Sequence, residues 1–208
     1  MPDLDFRFDE ITEEYSRRQL DEVRNFVHAH ELPPDLMLEI GTNRGRFLRQ
    51  LAEQNPDAGV LGVELRHKYV KLARRDLKKA GLDNAHVVCA DANLLLPIAI
   101  DDGQLTDVFV LYPDPWWKKR HRKRRIIQPE FLDLLARKMR AGGTLWIRTD
   151  VGPLADDMRD TLVDHPAFTP LDPADYPTEP FLRSTRERTS IKQDLPVNIL
   201  YFRRCGDS

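Results

Sequence analysis

Cysteine is scarce in this chain: Cys89 and Cys205 are the two it carries, too few for a disulfide framework. Cys89 stands in an apolar, strand-like run, so reduced thiols and an intracellular setting are expected. No apolar run approaches the ~20 residues that a helix needs to cross a bilayer. The opening MPDLDFRFDE is acidic and has no apolar signal core. A cytoplasmic protein with no membrane partner is the expectation. The six histidines are scattered and no Cys/His spacing recurs, so no metal site is expected. Repeats, low-complexity tracts and Gly/Ser linkers are missing too, and 208 residues read as one domain with a sizeable core.

An excess of charge of one sign is also lacking overall, with 32 basic against 34 acidic residues. The local picture differs. Seven of the eight residues of KKRHRKRR (118–125) are basic, and without them the chain carries 25 against 34, or −9. A cationic patch on an acidic body steers an anion to one face. Directly before the patch stands Tyr112-Pro113-Asp114-Pro115-Trp116-Trp117, fed by the apolar run Val108–Leu111.

Apolar periodicity organises the remainder. Leu20, Val23, Phe26 and Val27 recur at helical spacing within 13–30, a segment that Pro33-Pro34 ends. Strands are predicted at 36–40, 60–63, 85–90, 108–112 and 144–149. Helices are predicted from Phe47, Leu48, Leu51 and Ala52, over 67–80 with Gly81 as C-cap, from Phe131 to Met139 closed by Gly142-Gly143, and from Leu154, Met158 and Leu162. A strand-like Ile199–Phe202 follows a Pro-rich tail, with room for further strands at the sheet edge. Strand and helix alternate, so the fold class is α/β: a doubly wound, mostly parallel Rossmann-like sheet with helices on both faces. The expected division is an N-terminal helical extension (1–34), a cofactor-binding core (35–165) and a C-terminal substrate-binding and edge-strand segment (166–208).

In such a sheet ligands bind at the carboxyl ends of the strands. An acid stands at or near each predicted end: Glu39, Glu64, Asp91, Asp114 and Asp150. Any one of these could simply cap a helix or turn; five on one rim describe a crevice rich in acceptors. Gly41-Thr42-Asn43-Arg44-Gly45 is a tight turn, with Gly41 and Gly45 allowing close backbone approach to a ligand. Glu64, 19 residues beyond Gly45, is placed to accept ribose hydroxyls. The turn is not G-x-G-x-x-G, and Glu39 just before it suits a cationic cofactor better than a pyrophosphate. S-adenosyl-L-methionine, with its amino group and sulfonium, meets that preference.

The segments LEIGTNRG (38–45), LGVE (61–64), 84–92 and YPDPWWKKRHRKRR (112–125), with Arg148-Thr149-Asp150 and 183–204, resemble the bacterial tRNA (guanine-N7-)-methyltransferases. The resemblance covers about residues 35–204, and its P-D-P-W and basic block is highly specific. It implies an S-adenosylmethionine pocket lined by Glu39, Glu64, Asp91 and Asp114, substrate contacts from Lys118 and Asp150, and a catalytic role for Asp114. The family's T-x-[FY]-E motif matches as Ser184-Thr185-Arg186-Glu187, implying that Ser184 and Glu187 meet substrate, with Arg186 at the aromatic position. Asn43 replaces the middle glycine of the family's G-x-G-x-G turn, and Asn tolerates left-handed backbone better than most residues.

Guanine N7 has a lone pair on the neutral base, so attack on a methyl needs no general base. Asp114 is therefore expected to orient the base and to favour the developing ring charge, held rigid by Pro113 and Pro115. Trp116 or Trp117 could stack on an extruded base or merely pack. Arg120, His121, Arg122 and Lys123 are expected on RNA phosphates. The activity expected is methyl transfer to guanine N7 in tRNA, in its variable loop by family resemblance, by a monomer or homodimer. Two alternatives stand beside it. Asp114-Pro115-Trp116 resembles in part the D-P-P-[YFW] motif of exocyclic-amino methyltransferases, and Asn43 with Arg186 motivates an RNA-binding paralogue with impaired catalysis.

Overall fold

A strand covered by helices on both faces has to be largely apolar; Gly59–Val63 (β2) meets that condition throughout, and Leu36–Ile40 (β1) everywhere but at Glu39. The computed structural model describes residues 13–172 and 182–206. The start of the chain and the stretch 173–181 of the Pro-rich tail lie outside the described residues, so the readings made on them are not addressed by it.

After helix α1 (Glu13–Ala29) the order is β1, α2 (Arg46–Gln54), β2, α3 (His67–Ala80), β3 (Ala85–Val88), α4 (Ala92–Ala99) and β4 (Leu105–Leu111). A two-turn 3₁₀ helix (Lys119–Arg124) comes next, then α5 (Pro129–Lys138), β5 (Met139–Thr149), α6 (Gly152–Val163), β6 (Phe168–Pro170), α7 (Thr185–Lys192) and β7 (Asn198–Arg204). The seven strands form one sheet in the order β3-β2-β1-β4-β5-β7-β6. The first five are parallel; β7 runs antiparallel between β5 and β6. This is the Rossmann-like α/β architecture expected, with the tail supplying the edge. Order reverses between β1 and β4, where a crevice must open at the strand ends.

One face of the sheet is covered by α1, α4, α5 and α6, the other by α2 and α3. Helix α3 keeps its expected limits because Val70, Ala73 and Leu77 form its buried stripe and Gly81, at φ +67, caps it through bonds to the Leu77 and Lys78 carbonyls. In α1, Val23 and Phe26 are buried as expected, whereas Val27 is exposed: it lies about 100° around the helix from Phe26 and misses the stripe.

Four readings need correction. Helix α4 was not expected, because ANLLLPIA is apolar all round and carries Pro97 inside, so it shows no amphipathic period. Asp91 starts it by accepting from the Asn93 amide, and β3 consequently stops at Val88. Gly142-Gly143 do not close α5; the helix ends at Lys138 and both glycines lie in a bulge of β5, opposite the register shift at Leu105/Asp107. A Cβ on Gly143 would stand 2.7 Å from the Thr106 carbonyl oxygen. Strand β4 begins at Leu105 and ends at Leu111, three residues earlier and one residue earlier than read. Finally, α7 was missed, since its burial is of polar residues, Glu187 and Ser190.

Candidate active site

The turn after β1 is shaped by two bonds to β2: the amides of Gly41 and Thr42 donate to the Val63 carbonyl at 2.9 and 3.2 Å. Gly41 takes φ +77, and Asn43 follows at +51, within the left-handed region that Asn tolerates. The Asn43 amide donates to Glu64 Oε2 at 2.9 Å, which compensates for the strain. Thus Asn43 keeps the turn that the middle glycine would make. Gly45 belongs to packing instead of the pocket: its missing Cβ would stand 2.7 Å from Cβ of Ala73, so α2 and α3 can touch only because it is glycine.

A crevice of about 670 Å³ opens at the C-terminal edge between β1 and β4. Its walls are Glu39 to Arg44 on one side, Tyr112 to Pro115 with Trp117 on another, and Asp150 with Ser184 to Arg186 on a third. Of the residues singled out from sequence, it brings together Glu39, Gly41, Asp114, Asp150 and Ser184.

Glu39 is the buried acid of the group, 4% exposed and accepting from Thr42 Oγ1 at 2.5 Å. Burial pushes its carboxyl up to about 8, against which the Thr42 hydroxyl and the Leu48 amide act only in part. A cationic ligand group in the crevice would restore its charge. Asp114 is the opposite case: its side chain is 68% exposed, reaching Arg66 at 4.0 Å. Carboxylate and proline ring positions here follow from an uncommon backbone, since Tyr112 and Trp116 on either side take φ +55 and +43.

Glu64 and Asp91 stand at the same edge but do not line the crevice. Glu64 accepts from the amides of Asn43 and Arg66, at 2.9 and 2.8 Å. Asp91 accepts from the Asn93 amide at 2.7 Å as the cap of α4, while Gln19 of α1 accepts from its own amide at 3.0 Å. Burial raises the Asp91 carboxyl above its ordinary range, opposed by the Asn93 bonds.

Asp150, expected to meet substrate, is already engaged: its Oδ2 accepts from Arg186 Nε at 2.7 Å and Ser190 Oγ at 3.0 Å. Arg186, at the family's aromatic position, therefore neutralises the acid on the crevice wall. Glu187 is not on that wall. Its two oxygens accept from Arg148 Nη1 at 2.8 and 2.7 Å, with both side chains about 95% buried. It anchors α7 to β5, which positions Ser184, the cap that accepts from the Glu187 amide. The motif acts as a helix start first, and Glu187 meets a ligand only through what it holds.

The basic run divides similarly. Lys118, Lys119, Arg120, Arg122 and Lys123 are exposed, on and beside the 3₁₀ helix. Arg125 is buried and donates to the Pro115 carbonyl at 2.9 Å and to Asp157 at 2.7 Å. Arg124 lies over the Trp116 ring at 5.2 Å, and His121 meets the same ring edge-on at 5.7 Å. Trp116 thus fastens the loop, while Trp117 is 66% exposed beside the crevice and free to stack. Sequence reading missed Arg44, Arg66 and Tyr69, where both guanidiniums sit over one ring at 5.8 and 5.4 Å. Tyr112 was missed as a wall residue too; its hydroxyl is buried with no hydrogen-bond partner among the described residues, and burial raises its pKa. The Arg44–Tyr69 contact joins two separate crossovers and leaves no signal in a local window, whereas Arg66 and Tyr69 are only three residues apart.

Among the described residues no helix is long and apolar enough to cross a membrane, and no cluster of His, Cys, Asp or Glu is arranged to hold a metal.

Residues 34–196 match a family model described as "Putative methyltransferase". The chain is 38% identical over 174 residues to the tRNA (guanine-N(7)-)-methyltransferase of Synechococcus sp. (strain JA-2-3B'a(2-13)), spanning 80% of this chain and 70% of that one. It is 40% identical over 177 residues to the same-named protein of Paramagnetospirillum magneticum, spanning 80% and 71%. Among solved structures, a precorrin-6y C5,15-methyltransferase from Geobacter metallireducens superposes with TM-score 0.56 at 17% identity, over 95% of this chain and 91% of that one. A 16S rRNA (adenine(1408)-N(1))-methyltransferase from Catenulisporales acidiphilia gives 0.54 at 18%, over 90% and 92%. At such identities the solved structures speak for the fold alone. The sequence relatives reach further, and with the family model over most of its length this chain belongs to the tRNA (guanine-N7-)-methyltransferase family.

Proposed function

We propose that this protein transfers the methyl group of S-adenosylmethionine to N7 of a guanine in tRNA, in the variable loop. The observation that carries the reading is the junction at β4: the crevice with buried Glu39 and exposed Asp114 opens directly beside five exposed cations of residues 118–123. In this reading residues 35–165 hold the cofactor and the segment from 166 onward contributes the substrate side.

The residues present fit the cofactor. Glu39 is a buried carboxyl with no cation paired to it among the described residues, and an amino group bound beside it would supply that cation. Gly41 presents bare backbone to the crevice, and Glu64, at the same strand edge though off the crevice wall, keeps lone pairs beyond its two amide bonds that would suit ribose hydroxyls. When bound, S-adenosylmethionine supplies a methyl group activated by a positive sulfur.

The chain's own work is placement. With the cofactor held by Glu39, Gly41 and Glu64, guanine N7 would take the methyl through a lone pair available on the neutral base, so no residue of the chain would need to move a proton. The purine ring becomes cationic. Asp114, two residues past the positive-φ Tyr112 and between two prolines, is held to accept from the guanine N1–H or amino group and to favour that charge. Trp117 offers a ring for stacking. Alignment of N7 with the methyl supplies most of the acceleration. Lys118, Arg120, Arg122 and Lys123 hold phosphates, and Ser184 faces the same crevice.

The test is methyl transfer from labelled S-adenosylmethionine to total tRNA, with the nucleoside identified by cleavage at 7-methylguanosine. A label in the variable-loop guanine is expected. A methyl on an exocyclic adenine amino group, or cofactor-free RNA binding alone, would overturn the reading.

A further inference from the structure

Helix α3 carries six cations against one acid, Asp76, in fourteen residues. They are not spread evenly. Arg74 is engaged elsewhere, donating to the Val87 carbonyl at 2.8 Å and pairing with Glu22 of α1. Lys68, Lys71, Arg75, Lys78 and Lys79 fall within an arc of about 100° at 100° per residue, and all five are exposed. Lys68, Lys71 and Arg75 converge, together lining a shallow depression on the surface. Arg75 has only an exposed contact to Asp76 at 3.6 Å, and the four lysines have no acidic partner within ion-pair distance among the described residues.

The stripe starts at the crevice. Arg66, the residue just before α3, approaches Asp114 to 4.0 Å and stacks on Tyr69, itself a crevice residue. Sheet order sets the direction. Helix α3 follows β2, and the 3₁₀ helix follows β4, with β1 between them. The crevice is therefore flanked by cations on both sides: Lys118–Lys123 beyond β4, and the α3 stripe beyond β2. On the opposite face of the sheet α6 carries the reverse charge, Asp156, Asp157 and Asp160 against Arg159.

We infer that the Lys68–Lys71–Arg75–Lys78/Lys79 stripe of α3 is a second phosphate-binding surface for the RNA substrate, which crosses the crevice from the 3₁₀ helix to α3. The inference rests on the tRNA reading above. A run from Lys68 to Lys79 spans about 17 Å at 1.5 Å per residue, enough to lie beside several phosphates of one strand. A substrate held on one side alone would pivot about the basic loop. Gripped on two sides, its target base is fixed over Asp114 and N7 is aligned with the methyl.

The experiment compares wild type with Lys68→Gln/Lys71→Gln/Arg75→Gln, measuring tRNA affinity by filter binding over a salt series and methyl transfer in parallel. Loss of three phosphate contacts flattens the slope of log affinity against log salt by roughly 2–3 and weakens binding roughly tenfold to a hundredfold at about 0.15 M salt. KM for tRNA rises correspondingly, and kcat at saturating tRNA falls because the base is no longer held in line. The charge-conserving Lys68→Arg/Lys71→Arg variant retains wild-type affinity. A triple variant with wild-type slope and KM would overturn the inference and leave a solvated helix face. If the triple variant folds poorly by circular dichroism, the single substitutions replace it, each expected to lower the slope by slightly less than about one. Failure of the tRNA reading is distinguishable: it shows as wild type that makes no 7-methylguanosine, whereas the stripe is judged on binding alone.

Discussion

Glu39 should couple cofactor binding to proton release. Its carboxyl is buried at the end of β1 and pushed up to about 8, chiefly by desolvation. With a pKa near 8 it is about nine-tenths protonated at pH 7 in the free protein. A bound ammonium group favours the carboxylate, so binding at pH 7 should release about 0.9 proton, and affinity should improve about ninefold from pH 6 to 7. In that range an α-amino group, with a pKa of about 7.7–8.0, stays cationic. Isothermal titration of S-adenosylmethionine in buffers of different ionisation enthalpy measures the release directly. Glu39→Gln should abolish the release and the pH dependence together, along with most of the affinity. The sign for folding is also fixed. Between the unfolded value of 4.5 and the folded value of about 8, the native state binds more protons than the unfolded chain, so stability falls as pH rises. From pH 6 to 8 the loss is about 2 kcal/mol, or roughly 4–8 °C in Tm for a chain of this size. That fall should disappear from the difference between wild type and Glu39→Gln. No proton release at pH 7, with cofactor affinity flat from pH 6 to 7, would refute the argument.

Three further outcomes can be checked. Asp114→Ala should nearly abolish methyl transfer and leave tRNA affinity near wild type, because its exposed side chain supports no packing; near-normal turnover would exclude the orienting role. Glu187→Ala leaves the buried Arg148 guanidinium without its carboxylate and should cost about 3–5 kcal/mol of stability, seen as a fall of roughly 10 °C in calorimetry. His86, whose ring is 4.4 Å from that of His30, has its pKa held below the ordinary 6.5 by burial first and by His30 second. The unfolded chain then binds more protons than the native one below about 6.5, so stability is lost as pH falls; His86→Phe should reduce that loss in acid titrations followed by fluorescence.

The sequence by itself determined the alternation of strands and helices, because a buried parallel strand and an amphipathic crossover leave periods of different length in the chain. It determined α3 to the residue, since Val70, Ala73, Leu77 and the terminal Gly81 all report on local geometry. It also placed Glu39, Asp114 and Asp150 on one rim, as strand ends in such a sheet share an edge. Where the period is absent, as in the wholly apolar α4, or burial is polar, as in α7, no local signal exists to read.

Only the tertiary structure decided which charges are available to a ligand. Glu187 and Asp91 read as ligand-binding and Arg124 and Arg125 as part of one basic run, yet each is committed to a cap, a buried ion pair or a ring. The cations of α3 form no motif in the chain, and only the fold sets their helix after β2, one strand away from the β1–β4 crevice. Exposure and pairing depend on partners tens of residues away, such as Arg148 for Glu187 and Asp157 for Arg125. A charge's worth is fixed by its solvation and by the ion beside it, and both are set by folding.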